Sequence, residues 1–326
     1  MLIVRMITSF VLLAAFQLND ALAAPCAVTR VPAVFTAGRV FAAPMVDSDK
    51  RRLRLWIDSD GSGFLFDDVA ARYGTLTKAG GSARQRATLP RWSTQATIPA
   101  LTTRDRTLPI LRRSDVASDP VFDGLDGQLG ASWLQNRIWT FDYVRSALLL
   151  RCDGMDPAHS KNEVVKLSFA LDVAGKLIGG VQYPHLTATV EGQSFPTSLD
   201  TAATVALSQA GLTRMRDRSP MVRATSFAKR SVVARWHAEH PDWRYDGDAG
   251  EAPGVAAILV PSVTTEKVRF QNVWFTTRPH DDVFEGDDVD LKLGPTAFGR
   301  SVITIDYVHK IAIVQSAPAP VTPQSK

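Results

Sequence analysis

The chain has 326 residues, a formal net charge of +4, 45% hydrophobic residues and only two cysteines. That length is ample for two lobes with buried cores. The charge comes from scattered residues, and small clusters such as Lys50, Arg51, Arg52 and Arg54 read as a solvated strand edge. No aromatics interleave with them as a nucleic-acid groove would require, so a nucleic-acid partner is not expected.

In chain order, residues 1–23 have the layout of a secretory signal peptide, with Arg5, an apolar run from Ile7 to Phe16 and small residues before Ala24. The run is short for a membrane span and is interrupted by Gln17, Asn19 and Asp20, which argues against a retained anchor. No later run could cross a bilayer. The mature protein is therefore expected to be exported, periplasmic or secreted. Pro25 before Cys26 argues against lipid attachment, and an oxidising compartment permits a Cys26–Cys152 disulfide, the alternative being two thiols.

Strand signals dominate the remainder: residues 53–57, 137–143, 147–152, 164–173, 186–192, 268–277, 301–307 and 310–315 are short, rich in β-branched and aromatic residues, and separated by turn formers. Helices are predicted over 67–73, stopping at Gly74, over 204–210, stopping at Gly211, and over 226–239. Trp56, Trp133, Trp139 and Trp274 read as core. The polar stretch 153–163 reads as a linker, dividing the mature chain into lobes at 24–155 and 156–315, and residues 316–326 read as a disordered tail.

Two segments repeat without a gap, LDGQLGASWLQNRIWTFDY at 125–143 and VDLKLGPTAFGRSVITIDY at 289–307, with Leu129-Gly130 and Leu293-Gly294 in register. Upstream of each lies an acid-bearing segment, LRLWIDSDGSG with Asp58 and SFPTSLDTAAT with Asp200. One duplicated unit thus contributes one carboxylate per copy.

An apolar strand, Asp, Ser or Thr, a small residue, a helix to Gly, then an apolar-Gly turn and a closing strand pair resembles the retropepsin-like and pepsin-like aspartic peptidases, in particular bacterial exported members with both lobes on one chain. The matching segments are 55–74, 125–150, 187–212 and 289–314. The resemblance implies an all-β fold of two pseudo-twofold-related acid-protease-like β-barrel lobes with a few short helices. It implies Asp58 and Asp200 as catalytic residues, Ser59 and Thr201 as hydroxyls cross-linking the two loops, no cofactor, no metal, and a polypeptide substrate in an interlobe cleft. Hydrolysis without a metal or covalent nucleophile needs one carboxylate to deprotonate water and a second, protonated, to bind the carbonyl oxygen and donate to the leaving nitrogen. Two carboxyls about 3 Å apart cannot both ionise, so those roles separate by themselves.

Asp60 and Ala202 stand where the family has Gly. If those positions need positive φ, Ala tolerates it poorly. A carboxylate at Asp60 facing the pair would also make Asp58 harder to ionise. These departures point to weakened or specialised catalysis, or to a module that binds peptides or envelope components. A flap is expected from Ala79 to Trp92, with Gly80 and Gly81 as hinges and Trp92 as its aromatic. Two other patterns compete. Asp58, Asp60, Ser62 and Gly63 fit the start of a calcium loop that has Val69 where a Glu belongs, and His237, His240, His280 and Asp281 could be drawn as a metal set.

Overall fold

The structure is a computed structural model and describes residues 28–78, 85–93, 98–102, 106–152, 164–266, 268–284 and 288–316. The expected signal segment and the linker lie outside the described residues, as do Cys26 and residues 317–326 of the tail; Ser316, assigned to the tail, instead ends the last strand. Among the described residues no helix is long and apolar enough to cross a membrane.

The chain is mostly β. Its first half runs β1 (Thr29–Val31), β2 (Ala33–Thr36), β3 (Arg39–Ala42), β4 (Leu55–Ile57), β5 (Phe64–Phe66), α1 (Asp67–Tyr73), β6 (Leu76–Lys78), β7 (Gln85–Thr88), β8 (Thr107–Leu111), β9 (Gly127–Leu129), α2 (Ala131–Leu134), β10 (Ile138–Asp142) and β11 (Ala147–Arg151). The second half runs β12 (Val164–Lys166), β13 (Ser168–Phe169), β14 (Pro184–Val190), β15 (Gln193–Leu199), β16 (Thr204–Ala206), α3 (Gln209–Arg214), β17 (Val222–Ala224), β18 (Ser226–Ala228), α4 (Arg230–Glu239), β19 (Tyr245–Asp246), β20 (Ala257–Thr265), β21 (Val268–Thr276), β22 (Leu291–Leu293), α5 (Pro295–Phe298), β23 (Ser301–Asp306) and β24 (Ile311–Ser316).

Two eight-stranded sheets form the lobes, in the orders β2-β3-β4-β9-β5-β8-β7-β6 and β13-β14-β15-β22-β18-β21-β20-β19. Aligned strand for strand, they match in every pairing sense: β4 with β9 and β15 with β22 are parallel, as are β5 with β8 and β18 with β21, and the rest are antiparallel. The sequence repeat is therefore a repeat of topology.

A third sheet, β1-β11-β10-β23-β24-β12, joins the lobes and reads the same from either end. At its centre Thr140 pairs with Thr304, and their hydroxyls hydrogen-bond at 2.7 Å. These two residues occupy the same place in the two repeats, so the pseudo-twofold axis passes between them. β10 is buried along its whole length, which is why IWTFD reads as a run rather than an alternation. Asp142 and Asp306 cap the turns after β10 and β23, accepting from the amides of Arg145 and of Val308 and His309.

Three predicted elements are corrected. Residues 204–210 begin as strand β16, and the helix that follows contains Gly211 instead of stopping at it; a Cβ there would lie 2.5 Å from the Ala249 carbonyl, so the glycine serves close approach. Ser226 to Ala228 is strand, and only Arg230–Glu239 is helix. The 164–173 run is two short strands, because β12 joins the central sheet while β13 joins the lobe sheet. By topology α4, which follows β18, is the mate of α1, which follows β5. The β16-α3-β17 segment is thus an insertion in the second lobe without a counterpart in the first.

Candidate active site

Asp58 directly follows β4, and Asp200 directly follows β15. Each aspartate amide donates to the leucine ending the neighbouring parallel strand, Asp58 to Leu129 O and Asp200 to Leu293 O, both at 3.0 Å. Each carboxylate then accepts from the amide two residues on, Asp58 Oδ1 from Asp60 and Asp200 Oδ1 from Ala202, both at 2.8 Å. The two loops are the same local structure, written twice.

Ser59 and Thr201 link them reciprocally. The Ser59 amide donates to Thr201 Oγ1 at 3.1 Å, and the Thr201 amide to Ser59 Oγ at 3.0 Å. Ser59 Oγ donates to Leu199 O at 2.5 Å, and Thr201 Oγ1 to Ile57 O at 3.0 Å. Both residues have no solvent exposure. Four buried hydrogen bonds across 142 residues of sequence separation, or nearly so, bring the two aspartates to one site.

The symmetry ends at the side chains from β9 and β22. Gln128 precedes Leu129, and Lys292 precedes Leu293. Gln128 Nε2 donates to Asp58 Oδ2 at 2.7 Å. Lys292 Nζ reaches across to Asp60 Oδ2, which also accepts from Ser198 Oγ at 3.2 Å. The tyrosines of the two repeats are buried, and among the described residues their hydroxyls have no hydrogen-bond partner; the charge of Asp200 acts on Tyr143, and those of Asp58 and Asp60 on Tyr307.

Electrostatics follow from this packing. Burial, then the charge of Asp60, pushes the Asp58 carboxyl up from 3.8 to about 7. Burial, then the charges of Asp58 and Asp60, pushes Asp200 well above the usual carboxylate range. Lys292 opposes both shifts. Asp200 is 7% exposed, whereas Asp58 is half-buried. The two carboxyls are coupled, so their protonation belongs to the pair and not to either residue alone.

Several expectations need revision. Neither Asp60 nor Ala202 has positive φ, so neither strains the backbone. The glycine that matters for space is Gly61, where a Cβ would stand 2.2 Å from Asp58 Oδ2. Of the expected flap region, β7 is described and pairs with β6, which ends just before that region, while residues 79–84, with Gly80 and Gly81, lie outside the described residues. Trp92 is not on that hairpin; it bridges to Val46 and packs half-buried on the core. The calcium-like spacing is spent on other partners, since Asp58 accepts from an amide and a glutamine and Asp60 is ion-paired. His237 stacks on Tyr245 and His240 on Trp243, and among the described residues no three His, Cys, Asp or Glu side chains cluster as a metal set.

Gln128 and Lys292 escaped the sequence reading. Their signal was present: at the residue before each repeated Leu-Gly, where the apolar-apolar-Gly pattern calls for a hydrophobe, both copies carry a polar side chain.

No protein-family model and no curated protein matches the chain. Among solved structures, the aspartic proteinase from Irpex lacteus is similar over 92% of this chain and 100% of that one, with a TM-score of 0.50 at 12% identity. Basic 7S globulin from soybean matches over 90% and 96% at 8% identity with a TM-score of 0.46, and conglutin gamma from lupine seeds over 90% and 95% at 8% with 0.45. At such identities the likeness concerns the fold alone: this chain has the two-lobe architecture of pepsin-like aspartic proteinases.

Proposed function

We propose that this chain is an aspartic endopeptidase in which Asp58 and Asp200 activate a water against a peptide bond. The observation that carries the reading is the reciprocal Ser59–Thr201 lock, which serves to hold together two carboxyls that are both shifted upwards. Asp58, the more exposed of the two, takes a proton from water as its oxygen adds to the carbonyl carbon. Asp200 gives its proton to the carbonyl oxygen. The tetrahedral diol then collapses: the proton on Asp58 passes to the nitrogen, the C–N bond breaks, and a diol hydroxyl returns its proton to Asp200. Substrate lies extended in the interlobe cleft with strand-like pairing.

The test is cleavage of a diverse peptide library from pH 3 to pH 7 by the wild type, Asp58→Asn and Asp200→Asn. Each substitution should abolish turnover with circular dichroism unchanged. Wild-type-like cleavage by either variant removes that residue from the chemistry.

A second reading, a peptide- or envelope-binding module, is favoured by Gln128, whose amide occupies the Asp58 oxygen that a water would otherwise contact. Absence of both cleavage and binding of a transition-state-mimicking inhibitor, together with peptide retention, supports it.

Export and the disulfide belong to the same proposal. Cys152 directly follows β11, the strand that pairs with β1, while Cys26 lies outside the described residues, so the bond rests on the sequence and the expected oxidising compartment. N-terminal sequencing of the exported protein and thiol alkylation with and without reductant decide both points; a retained residue 1 or two alkylatable thiols without reductant would refute them.

A further inference from the structure

The site holds one charged pair more than two-carboxyl chemistry requires. The side chains of Lys292 and Asp60 are 6% and 5% exposed and in direct contact, one from each lobe. Neither could be kept alone, since an unpaired buried charge costs several kcal/mol. Both also depart from the resembling family at once: an acid where it has Gly, and a lysine within the apolar-Gly turn. Two departures that cancel in charge and touch each other form a matched set.

The pair stands against the two aspartates. Asp60 follows Asp58 by two residues and gives its amide to the Asp58 carboxylate, while Lys292 enters from β22 beside the strand that delivers Asp200. Among the described residues, the other groups coupled to the aspartates are the uncharged Gln128 from β9 and the phenols of Tyr143 and Tyr307, which burial keeps protonated. Asp60 and Lys292 are therefore the charges that set the local balance.

We propose that the Asp60–Lys292 pair is a charge-balancing tie between the lobes that fixes the pH range over which Asp58 and Asp200 share a single proton. The proposal rests on the two-carboxyl reading above. With the tie intact its own net charge is zero, and the shared-proton state carries the site's single negative charge. Without Lys292, a third carboxylate in the pocket makes that state harder to reach, and the aspartates retain both protons to higher pH. Without the Asp60 charge, the ammonium favours ionisation of both, and the shared proton leaves at lower pH. The two losses act in opposite directions, which a merely structural tie would not produce.

The experiment is a 13C-carboxyl NMR titration of the full chain with labelled aspartate, with signals assigned by comparison with Asp58→Asn and Asp200→Asn. Lys292→Met should move the midpoints of the pair up by about one pH unit or more, and Asp60→Asn should move them down by a similar amount. Lys292→Arg should restore the wild-type midpoints. Asp60→Asn is isosteric and keeps the contact with Ser198, so it tests the downward shift even if Lys292→Met does not fold. Unmoved midpoints in Asp60→Asn, or shifts of the same sign in both variants, overturn the proposal. The readout needs no peptide cleavage, so it separates the two readings: a wild type in which Asp58 and Asp200 titrate as independent, ordinary carboxyls would defeat the two-carboxyl reading itself.

Discussion

Ser59 and Thr201 show how little sequence a precise site requires. Each is a small hydroxyl that gives and receives one bond across the lobe interface, and each bond lies where water cannot replace it. Ser59→Ala would leave the Thr201 amide without its acceptor and Leu199 O without its donor, at a cost of about 2 kcal/mol or more. Thr201→Ser keeps every polar partner. Urea unfolding should therefore separate the two, with a clear midpoint drop for Ser59→Ala and a small one for Thr201→Ser. Equal midpoints for wild type and Ser59→Ala would mean that the lock does not hold the lobes. Asp60 and Ala202 carry the converse lesson: the backbone at the family's Gly positions has ordinary φ here, and the consequence of Asp60 is electrostatic.

Among elements, strands β9 and β22 position most of the site. Each inserts between two strands of its lobe sheet, accepts an aspartate amide at its terminal leucine, and places one polar side chain against the acids. The inserted β16-α3-β17 segment has a small cluster of its own around Leu207, Leu212, Met215 and Ala249, while Ala206 and Val222 pack against the main core. Gly211→Ala should destabilise it by about 1–3 kcal/mol, because the added methyl group meets the Ala249 backbone, which cannot move aside as a side-chain end can. Hydrogen exchange should show the loss confined to α3 and its neighbours. Slowed or unchanged exchange there would show that the backbone approach is not tight.

For the molecule as a whole, the buried pair of acids is a cost that grows with pH. Burial pushes the Asp58 carboxyl up from 3.8 to about 7 in the folded chain, and a group raised in this way contributes stability that is fully present below about pH 4 and lost as pH rises through 7. Asp58→Asn removes that loss. The thermal midpoint of the variant should equal or trail the wild type near pH 4 and exceed it near pH 7. A variant less stable than the wild type at both pH values would show that the carboxyl is not held protonated by folding. The same burial that weakens the fold at neutral pH keeps one proton available for chemistry, so stability and the proposed activity are opposed at this site.

The sequence by itself determined the duplication, the dominance of β structure, the two acid-bearing loops and the α1 helix with its stop at Gly74, because each rests on local periodicity or on a repeat visible without partners. It misjudged α3 and α4, since their boundaries depend on which strand the second lobe inserts beside β22, a long-range choice that no local pattern records. The tie between Asp60 and Lys292, 232 residues apart, was decided by tertiary structure alone. Each residue read singly is an ordinary charge, and only the crossing of two parallel-strand ends in a buried cleft makes them a neutral pair.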